Sequence, residues 1–338
     1  MTWNVLSGVQ LHPAAHEVFD GFAELTIASD YKDEAALTAD LDRFDAMVSA
    51  RLSIPRERIE RATELKVIAS RGVGLDPVDV GAATDHGVIV CNNPGANTRA
   101  VAEYTMAAML ATRRRLREAD RDLRAGIWEK HGYLGPEVEG QTMAVLGYGA
   151  IGRLVCRLAQ GLDMETVAYD PYVEAETMRS ANVEPIDHVE TLFERADAAS
   201  IHAPLTDETR GIVGKTELEA LGSDGVLVNA ARGGLVDEEA LVDALAAEVI
   251  AGAAIDVFEE EPAPDDHPLF ELENVIVTPH IAGSTNSSVP AKARGAAVNI
   301  KSVHDGHLPP STVNRDALCL RAAFGADQAD ALGTPDPF

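Results

Sequence analysis

Positive charge is scarce in this sequence, and lysine is the scarcer of the two basic residues. Lys and Arg together number 28 against 55 Asp and Glu, so the formal net charge is -27 at pH 7. A surface of this sign repels nucleic acids and anionic membranes, and we therefore expect neither as a partner. The hydrophobic fraction of 46% is ordinary for a globular protein. An acidic surface around an ordinary core indicates a protein of salt-adapted cytoplasm, which we expect to unfold when desalted.

Cysteine, aromatic residues and long apolar runs are also few. Cys91, Cys156 and Cys319 are too widely spaced for a disulfide framework or a metal cluster. No apolar run approaches the roughly 18 residues that a membrane-spanning helix requires. The N-terminus has no basic segment followed by an apolar run, so we predict no signal peptide. We expect a soluble, reduced, cytoplasmic protein without a bound metal, and we interpret the Asp-Asp-His run at 265–267 as a solvated acidic loop.

Short apolar runs alternate with helical stretches through the second half of the chain. Each run ends at a turn, and helical candidates such as Ala150–Gln160, Val189–Arg195 and Asp237–Ala247 lie between them. Strands that are apolar throughout and alternate with helices are typical of a parallel sheet covered on both faces. We therefore predict a six-stranded, doubly wound dinucleotide-binding domain of the Rossmann type. Its strands are predicted at Met143–Leu146, Thr166–Tyr169, Ala198–Ile201, Val226–Asn229, Ala253–Asp256 and Val275–Thr278.

The first hundred residues repeat this alternation more weakly and predict a second, smaller α/β domain. If the last 50 or so residues return to pack on the first hundred, this domain is discontinuous. It then comprises 1–98 and 286–338, and the larger domain comprises 99–285. The tail after Arg321 is expected to be loosely ordered. The remaining predicted elements are strands at Met47–Ala50, Lys66–Ser70 and Val88–Cys91 and helices at Arg58–Thr63, Val101–Ala125 and Val289–His304.

A glycine-rich segment, GYGAIG at 147–152, follows the first predicted strand of the larger domain and opens a helix. Gly147 permits a tight turn, Gly149 lets a pyrophosphate approach the backbone, and Gly152 allows the helix to pack closely on the strand. The next strand ends at Asp170, 18 residues after Gly152, where a carboxylate can bind the ribose hydroxyls of adenosine. That carboxylate repels a 2′-phosphate, so NAD is favoured as the cofactor and NADP is the less favoured alternative.

Three kinds of ionisable side chain follow the last three predicted strands. Arg232 follows the fourth strand, an acidic run at Glu259–Glu261 the fifth, and His280 the sixth. Because ligands of open parallel sheets bind beyond the carboxyl ends of the strands, these side chains are expected to converge. An arginine can bind a substrate carboxylate, and a histidine whose tautomer is fixed by an acid can exchange a proton. The set suits hydride transfer to or from a 2-hydroxy acid, although each residue alone could be structural.

Seven motifs in a fixed order carry a resemblance to a known family. Across Leu65–Thr285 the chain resembles the D-2-hydroxyacid dehydrogenases, close to their phosphoglycerate dehydrogenase and hydroxypyruvate or glyoxylate reductase branches. The resemblance implies a six-stranded NAD-binding Rossmann domain and a smaller flavodoxin-like substrate domain, with the active site in the cleft between them. The motifs are GVGLDPVD at 72–79, NPGANTRAVAE at 93–103, GYGAIG at 147–152, HAPLT at 202–206, NAARGGLVDEEAL at 229–241, DVFEEEP at 256–262 and TPHIAGST at 278–285.

The resemblance also implies roles for single residues. Arg232 matches the family's catalytic arginine, Glu261 its paired glutamate and His280 its acid/base histidine. Asp256 matches the residue that holds the nicotinamide carboxamide. The Gly72-Val73-Gly74 turn resembles the loop whose backbone N–H groups meet the substrate carboxylate, although a plain strand-ending turn is the alternative. The residues implied to line the NAD site are Gly147, Gly149, Ala150, Ile151, Gly152, Asp170, Ala203, Pro204, Ala230, Ala231, Arg232, Asp256, His280 and Gly283.

The segment near the substrate side chain departs from the family pattern. Phosphoglycerate dehydrogenases carry an arginine in a VRS segment near the substrate phosphate, whereas here the arginine of Val48–Arg51 is displaced by one place. In a strand, one place moves a side chain to the opposite face. Arg51 and Arg71 are the candidate substrate-binding cations, and Arg99 could also compensate. We therefore predict a reductase of small 2-oxoacids, with D-3-phosphoglycerate dehydrogenase of serine biosynthesis as the alternative.

A function of another class is compatible with the same residues. Transcriptional corepressors of this family sense NAD(H) and retain the arginine, glutamate and histidine set, so that set does not separate a binding protein from an enzyme. The strongly acidic surface favours the enzyme. The family's habit of dimerising through the region of Ala102–Leu116 predicts a homodimer.

Overall fold

The computed structural model describes residues 2–324, and the chain divides into two compact units. Unit 1 combines the chain up to Asn97 with the chain from Thr285 onward, and unit 2 is Thr98–Ser284. The crossings that we expected, after residues 98 and 285, lie one residue away from these. None of the helices within residues 2–324 combines the length and the apolar character that crossing a membrane would require.

Unit 1 contains a five-stranded parallel sheet in the order β2-β1-β3-β4-β5, which is the flavodoxin-like order. The three strands predicted in this region are present with three residues each, and the first of them begins at Ala46, one residue before its predicted start. The two strands nearest the N-terminus were not predicted, because the edge strand β2 mixes apolar residues with Glu24 and Thr26. The elements are β1 (Trp3–Ser7), α1 (Pro13–Phe19), β2 (Ala23–Ile27), α2 (Glu34–Ala39), β3 (Ala46–Val48), α3 (Arg56–Arg61), β4 (Val67–Ala69), α4 (Val80–Asp85) and β5 (Ile89–Cys91).

Unit 2 contains a seven-stranded parallel sheet in the order β12-β11-β10-β9-β6-β7-β8. The prediction of six strands was wrong by one, because β8 has only two residues, one of them a proline, and lacks an apolar run. The strands are β6 (Thr142–Leu146), β7 (Glu165–Tyr169), β8 (Glu184–Pro185), β9 (Ala198–Ile201), β10 (Val226–Asn229), β11 (Gly252–Ile255) and β12 (Val275–Val277). The helices are α5 (Thr98–Arg113), α6 (Leu116–Arg124), α7 (Ala150–Gln160), α8 (Ala175–Arg179), α9 (Val189–Glu194), α10 (Lys215–Leu221) and α11 (Glu238–Ala246).

The central strands of unit 2 are buried on both faces, which explains why their sequences are largely apolar. Successive residues of β6 enter different cores, with Ala144 and Leu146 in one and Met143 and Val145 in the other. The six predicted strands are confirmed in position. The Rossmann order 3-2-1-4-5-6 runs from the unpredicted β8 through β7, β6, β9 and β10 to β11, and β12 is a further strand beside β11. Asp237 is confirmed as the N-cap of α11, since its side chain accepts a hydrogen bond from Ala240 N.

The single helix predicted over Val101–Ala125 was wrong. The structure has two helices, α5 and α6, separated at Arg115, whose φ of 49° is left-handed. Arg113 at the end of α5 turns inward and donates hydrogen bonds to the carbonyls of Asp197 at 2.6 Å and Asp224 at 3.1 Å. These long-range bonds hold the C-terminus of α5 against the sheet, and no local pattern predicts them.

The returning chain of unit 1 begins with α12 (Ser288–His304), as predicted within one residue, and continues with α13 (Arg315–Phe324). Helix α12 packs against α1, and its alanines at 293, 296 and 297 are buried in the core of unit 1. Asn314 ties the same segment to the sheet, since its Oδ1 accepts a hydrogen bond from Val90 N at 2.9 Å. Most of the tail that we expected to be loosely ordered, residues 325–338, lies outside the described residues.

Candidate active site

The glycine-rich turn between β6 and α7 has a shape that only glycine permits. Gly147 has a φ of +95°, and a Cβ at this position would lie 2.7 Å from Ala203 N. A Cβ on Gly152 would lie 2.1 Å from the carbonyl oxygen of Gly147. A Cβ on Gly149, by contrast, would meet no atom within 4 Å, so this part of the turn faces open space. The turn leaves room for a phosphate next to the first amides of α7.

Asp170 follows β7 and faces the same turn. Its Oδ2 accepts a hydrogen bond from Tyr148 N at 2.8 Å, and its Oδ1 accepts one from Tyr172 N at 3.0 Å. Each carboxylate oxygen has two acceptor sites, so both can still accept a hydroxyl. The open turn and the oriented acid fit the pyrophosphate and the adenosine ribose of a dinucleotide.

The HAPLT segment after β9 lies against the turn through its backbone. His202 N donates to Leu146 O at 2.7 Å, and the carbonyl carbon of His202 would be 2.7 Å from a Cβ on Gly147. Burial lowers the pKa of His202 to about 3, so the ring is neutral at physiological pH. Its Nε2 is 3.1 Å from Ser200 Oγ. His202 is therefore a neutral residue that shapes the turn, while Ala203 and Pro204 continue along it.

His280 and Glu261 form a hydrogen-bonded pair beyond the ends of β11 and β12. His280 Nδ1 is 2.7 Å from Glu261 Oε2, and the two side chains are 53% and 38% exposed. Glu261 Oε1 also accepts a hydrogen bond from Phe258 N at 3.2 Å. Of the three acids in the Glu259–Glu261 run, Glu261 is the one that contacts the imidazole. The pair leaves the other ring nitrogen, Nε2, for a reacting group.

The carboxyl group of Glu261 is held in its ionised form. Burial alone would raise the pKa of Glu261, but the hydrogen bond and charge of His280, the Phe258 amide and the charge of Arg232 together lower it. An ionised carboxylate at Nδ1 favours the tautomer with hydrogen on that nitrogen and stabilises a protonated ring. The arrangement is suited to proton donation from Nε2.

Arg232 follows β10 on a loop that lies close to the segment preceding Glu261. Asn229 Nδ2 donates to Arg232 O at 2.8 Å and fixes the loop at the strand end. A Cβ on Gly233 would lie 2.0 Å from the carbonyl carbon of Phe258, so only glycine permits this approach of the two loops. The electrostatic influence of Arg232 reaches Glu261, as the lowered pKa of that acid indicates. Unit 2 therefore places the arginine, the acid and the histidine on neighbouring strand ends.

The carboxylate of Asp256, which we expected to hold the nicotinamide carboxamide, binds its own loop. It is fully buried and accepts hydrogen bonds from Thr278 Oγ1 at 2.5 Å and from the amides of Ile281 and Ala282 at 2.7 Å. No local pattern in the sequence indicates these contacts of Asp256 with its own loop. Its role toward the cofactor stays a prediction.

In unit 1, the Gly72-Val73-Gly74 turn is held by Ser70, whose Oγ accepts from Gly72 N at 3.2 Å and donates to Gly74 O at 2.9 Å. Asn93 donates one hydrogen bond to the carbonyl of Arg71 and another to that of Lys292 on α12. The turn, β5 and the returning helix are thereby joined.

Arg51, Arg71 and Lys292 form a cluster of cations in unit 1, which we call the cationic cluster. Burial and the positive charge of Arg51 lower the pKa of Arg71, and burial and the charge of Arg71 lower that of Lys292. The Nε of Arg71 is buried and has no hydrogen-bond partner among residues 2–324. Lys292 was not predicted as a member of this cluster, because it lies more than 200 residues from Arg71 along the chain and no local pattern joins them.

The loop at 265–267 is solvated at Asp265 and Asp266, as we expected, but not at His267. The side chain of His267 is largely buried between Phe258 and Phe270, and its Nε2 is 3.1 Å from Glu238 Oε2. Its Nδ1 accepts a hydrogen bond from Leu269 N. His267 therefore packs the loop that follows Glu261 onto the start of α11.

Known proteins that are similar to this chain include members of the family that its sequence motifs resemble. The model of a family described as "D-isomer specific 2-hydroxyacid dehydrogenase, NAD binding domain" matches residues 106–282. A D-3-phosphoglycerate dehydrogenase of Methanocaldococcus jannaschii is 40% identical over 90% of this chain and 58% of its own length. A glyoxylate reductase of Thermofilum pendens is 40% identical over 79% of this chain and 80% of its own length.

A solved structure extends the similarity to the whole fold. The NADPH-dependent glyoxylate/hydroxypyruvate reductase of Sinorhizobium meliloti, in complex with NADP and malonate, superposes with a TM-score of 0.82 at 29% identity. The match covers 93% of this chain and 97% of that one. The chain spans only 48% to 58% of the length of three D-3-phosphoglycerate dehydrogenases that it matches, so it is similar to a part of those proteins.

Proposed function

This chain belongs to the D-isomer specific 2-hydroxyacid dehydrogenase family, and from that premise we propose that it interconverts small D-2-hydroxy acids and 2-oxoacids with NAD. The observation that carries the proposal is the 2.7 Å contact between His280 Nδ1 and Glu261 Oε2, beside the loop of Arg232. These residues supply a proton exchanger, an anion that orients it and a cation for a carboxylate.

In the direction of reduction, Arg232 binds the substrate carboxylate, and NADH supplies the hydride when it is bound. His280 donates the proton of Nε2 to the oxygen on C2, because its Nδ1 is committed to Glu261. The Glu261 carboxylate keeps the imidazole oriented and compensates its positive charge until the proton leaves. In the direction of oxidation, His280 accepts the hydroxyl proton at the same nitrogen.

Asp170 supports NAD rather than NADP as the cofactor. Its carboxylate, oriented by the amides of Tyr148 and Tyr172, can accept hydrogen bonds from the ribose hydroxyls and repels a 2′-phosphate. The turn at Gly147 and Gly149 would bind the pyrophosphate through the first amides of α7.

The cationic cluster supports a second candidate function, D-3-phosphoglycerate dehydrogenase. Arg71 is repelled by Arg51, and Lys292 is repelled by Arg71, so an anionic group beside Arg71 would relieve this repulsion. The phosphate of 3-phosphohydroxypyruvate would supply such a group in addition to its carboxylate, whereas glyoxylate and hydroxypyruvate carry no second anionic group. Relatives of both kinds are similar to this chain.

Substrate preference distinguishes the two candidates. We expect NADH oxidation in multimolar KCl with hydroxypyruvate and glyoxylate, and Lys292→Gln should leave this activity nearly unchanged. If the substrate is phosphorylated, 3-phosphohydroxypyruvate will be preferred instead, and Lys292→Gln will raise its KM by roughly tenfold or more. Steady-state kinetics on the three oxoacids provides the measurement.

The matched control for that variant is Lys301→Gln, which removes a lysine of the same helix that pairs with Asp305 at 2.7 Å. It should not change the KM of any of the three oxoacids. Saturable NADH binding without turnover of any 2-oxoacid would contradict the enzyme and favour a corepressor-like NAD(H)-binding protein.

We also propose that the chain forms a homodimer, through a surface that shares only Leu116 with the region that the family resemblance suggested. Ala102, Met106 and Met109 of α5 are buried in the core of unit 2 and are not available to a partner. The exposed apolar side chains follow them along the chain, and Trp128 is 84% exposed. A second copy covering these residues would bury apolar surface. They are Leu116, Leu123, Ile127, Trp128 and Leu134, which we call the apolar surface.

Charge on the apolar surface should separate the subunits. We expect Trp128→Glu to convert the dimer to a monomer, because a carboxylate cannot be desolvated there without a partner. Light scattering coupled to size-exclusion chromatography in multimolar KCl gives the mass directly. The control is Tyr172→Ser, which removes a similarly exposed aromatic residue elsewhere in unit 2. A dimer that persists in Trp128→Glu, or a wild-type monomer, would contradict the proposed surface.

A further inference from the structure

The backbone of His280 is held in a conformation that a histidine rarely adopts. Its φ is +53°, in the left-handed region, which for a residue other than glycine has a cost of about 1 kcal/mol or more. Such a conformation persists only where the surroundings impose it. The direction of the imidazole therefore depends on whatever holds the backbone of the loop from Thr278 to Ala282.

Asp256 binds that loop at three consecutive amides. His280 N donates to the carbonyl oxygen of Asp256 at 2.8 Å, while Ile281 N and Ala282 N donate to its two carboxylate oxygens at 2.7 Å each. Asp256 is fully buried, so water does not compete for these bonds. The loop from Thr278 to Ala282 therefore folds around a carboxylate that is fixed in place.

The carboxylate is in turn connected to α5 through two hydroxyl groups. Thr278 Oγ1 is 2.5 Å from Asp256 Oδ1, and Tyr104 Oη is 2.6 Å from Thr278 Oγ1. A carboxylate only accepts, so Thr278 must donate its hydrogen to Asp256 and accept one from Tyr104. Burial is the largest influence on Tyr104 and raises its pKa, which keeps the phenol able to donate. The chain of donors runs in one direction, from Tyr104 through Thr278 to Asp256.

The Tyr104 end of this hydrogen-bonded series lies in buried structure. Tyr104 lies on α5, whose neighbouring residues Ala102 and Met106 are buried in the core under the sheet of unit 2. Thr278 directly follows β12, and Asp256 directly follows β11. These hydrogen bonds therefore connect the buried helix α5 to the ends of the adjacent strands β11 and β12, and through Asp256 to the His280 loop.

We propose that Tyr104 and Thr278 are positioning residues, which hold the carboxylate of Asp256 and through it the left-handed backbone of His280. Neither hydroxyl needs to touch the substrate. They act by fixing the distance and direction of the imidazole, on which proton transfer depends steeply. The inference rests on the proposed function for its kinetic consequence, but the mechanical connection is a property of the protein alone.

Hydrogen exchange tests the mechanical connection without any substrate. In the full-length protein, the amides of residues 280–282 should exchange roughly tenfold faster in Tyr104→Phe and in Thr278→Val than in wild type. Thr278→Ser keeps the hydroxyl and should restore the protection. The control is Tyr133→Phe, which removes a phenol that donates to Asp122 at 2.7 Å elsewhere in unit 2. Unchanged exchange in both test variants would overturn the proposal, whatever the enzyme reduces.

Kinetics then test the consequence for proton transfer. We expect Tyr104→Phe and Thr278→Val to lower kcat by roughly tenfold with little change in the KM of NADH, and Thr278→Ser to recover most of it. The double variant should be no slower than Thr278→Val alone, because the two hydroxyls act in series. Faster exchange with an unchanged kcat would overturn the positioning role, as would additive effects in the double variant. Loss of exchange protection in a protein that turns over no oxoacid would support the connection and reject the proposed function.

Discussion

Replacing His280 with glutamine is expected to lower turnover by roughly two to four orders of magnitude while NADH still binds. Glutamine preserves a polar side chain of similar reach, but its amide cannot release a proton at neutral pH. The substrate and cofactor contacts assigned to Arg232, Asp170 and the glycine turn lie on other elements and should persist. Steady-state kinetics and NADH titration by fluorescence separate the two effects.

The control for this variant is His304→Gln, which removes another histidine whose Nδ1 contacts an acid, at 2.9 Å from Asp305. It should retain full activity, because this pair lies at the C-terminal end of α12 in unit 1. Near-normal turnover of His280→Gln would contradict the assignment of His280 as the proton donor. Loss of NADH binding in the same variant would instead indicate that the loop had been displaced.

The acid partner has a consequence for the pH dependence of the same step. The lowered pKa of Glu261 keeps its carboxylate ionised from neutral pH into mild acid, so its stabilising effect is present there and is lost only as the pH falls further. In Glu261→Gln the anion beside the imidazole is absent, and a protonated ring is less favourable. The alkaline limb of oxoacid reduction should therefore move to lower pH in this variant. An unshifted limb would show that Glu261 does not act through the proton on His280.

The fold was predictable where a local pattern is unambiguous. The bounds of α7, β9 and β10 agree with the prediction. The two strands were predictable because a largely apolar run that ends at a turn is typical of a strand buried on both faces. The edge strands β2 and β8 are short or partly polar, so the same rule misses them. The break between α5 and α6 lies next to Arg113, which donates hydrogen bonds to carbonyls 84 and 111 positions along the chain and so gives no local signal.

The candidate site was predictable to a similar extent and for the same reason. Parallel strands bring their carboxyl ends to one edge, so the positions of Arg232 and His280 after β10 and β12 suffice to expect them near each other. The preference for Glu261 over two adjacent acids came from the family resemblance. The bond between Tyr104 and Thr278 joins residues 174 positions apart and has no local signal at all. The sequence does not indicate the long-range contacts that orient these side chains, although the topology already brings them to one edge of the sheet.

Removing salt is expected to unfold the protein at neutral pH. If every Lys and Arg paired with one acid, 27 acids would still have no cation, which is the meaning of the formal charge of -27. Folding concentrates these charges on a compact surface, and unfolding separates them. Because the Debye length falls from about 10 Å at 0.1 M salt to about 3 Å at 1 M, salt removes most of the repulsion between exposed acids.

Thermal unfolding measured across a series of KCl concentrations tests this argument. We expect Tm to rise by roughly 10 °C or more between 0.1 and 3 M KCl, which corresponds to a few kcal/mol for a chain of this size. Sucrose is the control, since it also favours compact states by exclusion from the surface but screens no charge. If charge repulsion is the cause, sucrose will raise Tm far less than KCl. A Tm that does not depend on KCl would contradict the role of charge repulsion. Local ion pairs such as Lys301–Asp305, at 2.7 Å, are too few to neutralise the excess of acids, so the repulsion among the remaining acids should respond to salt.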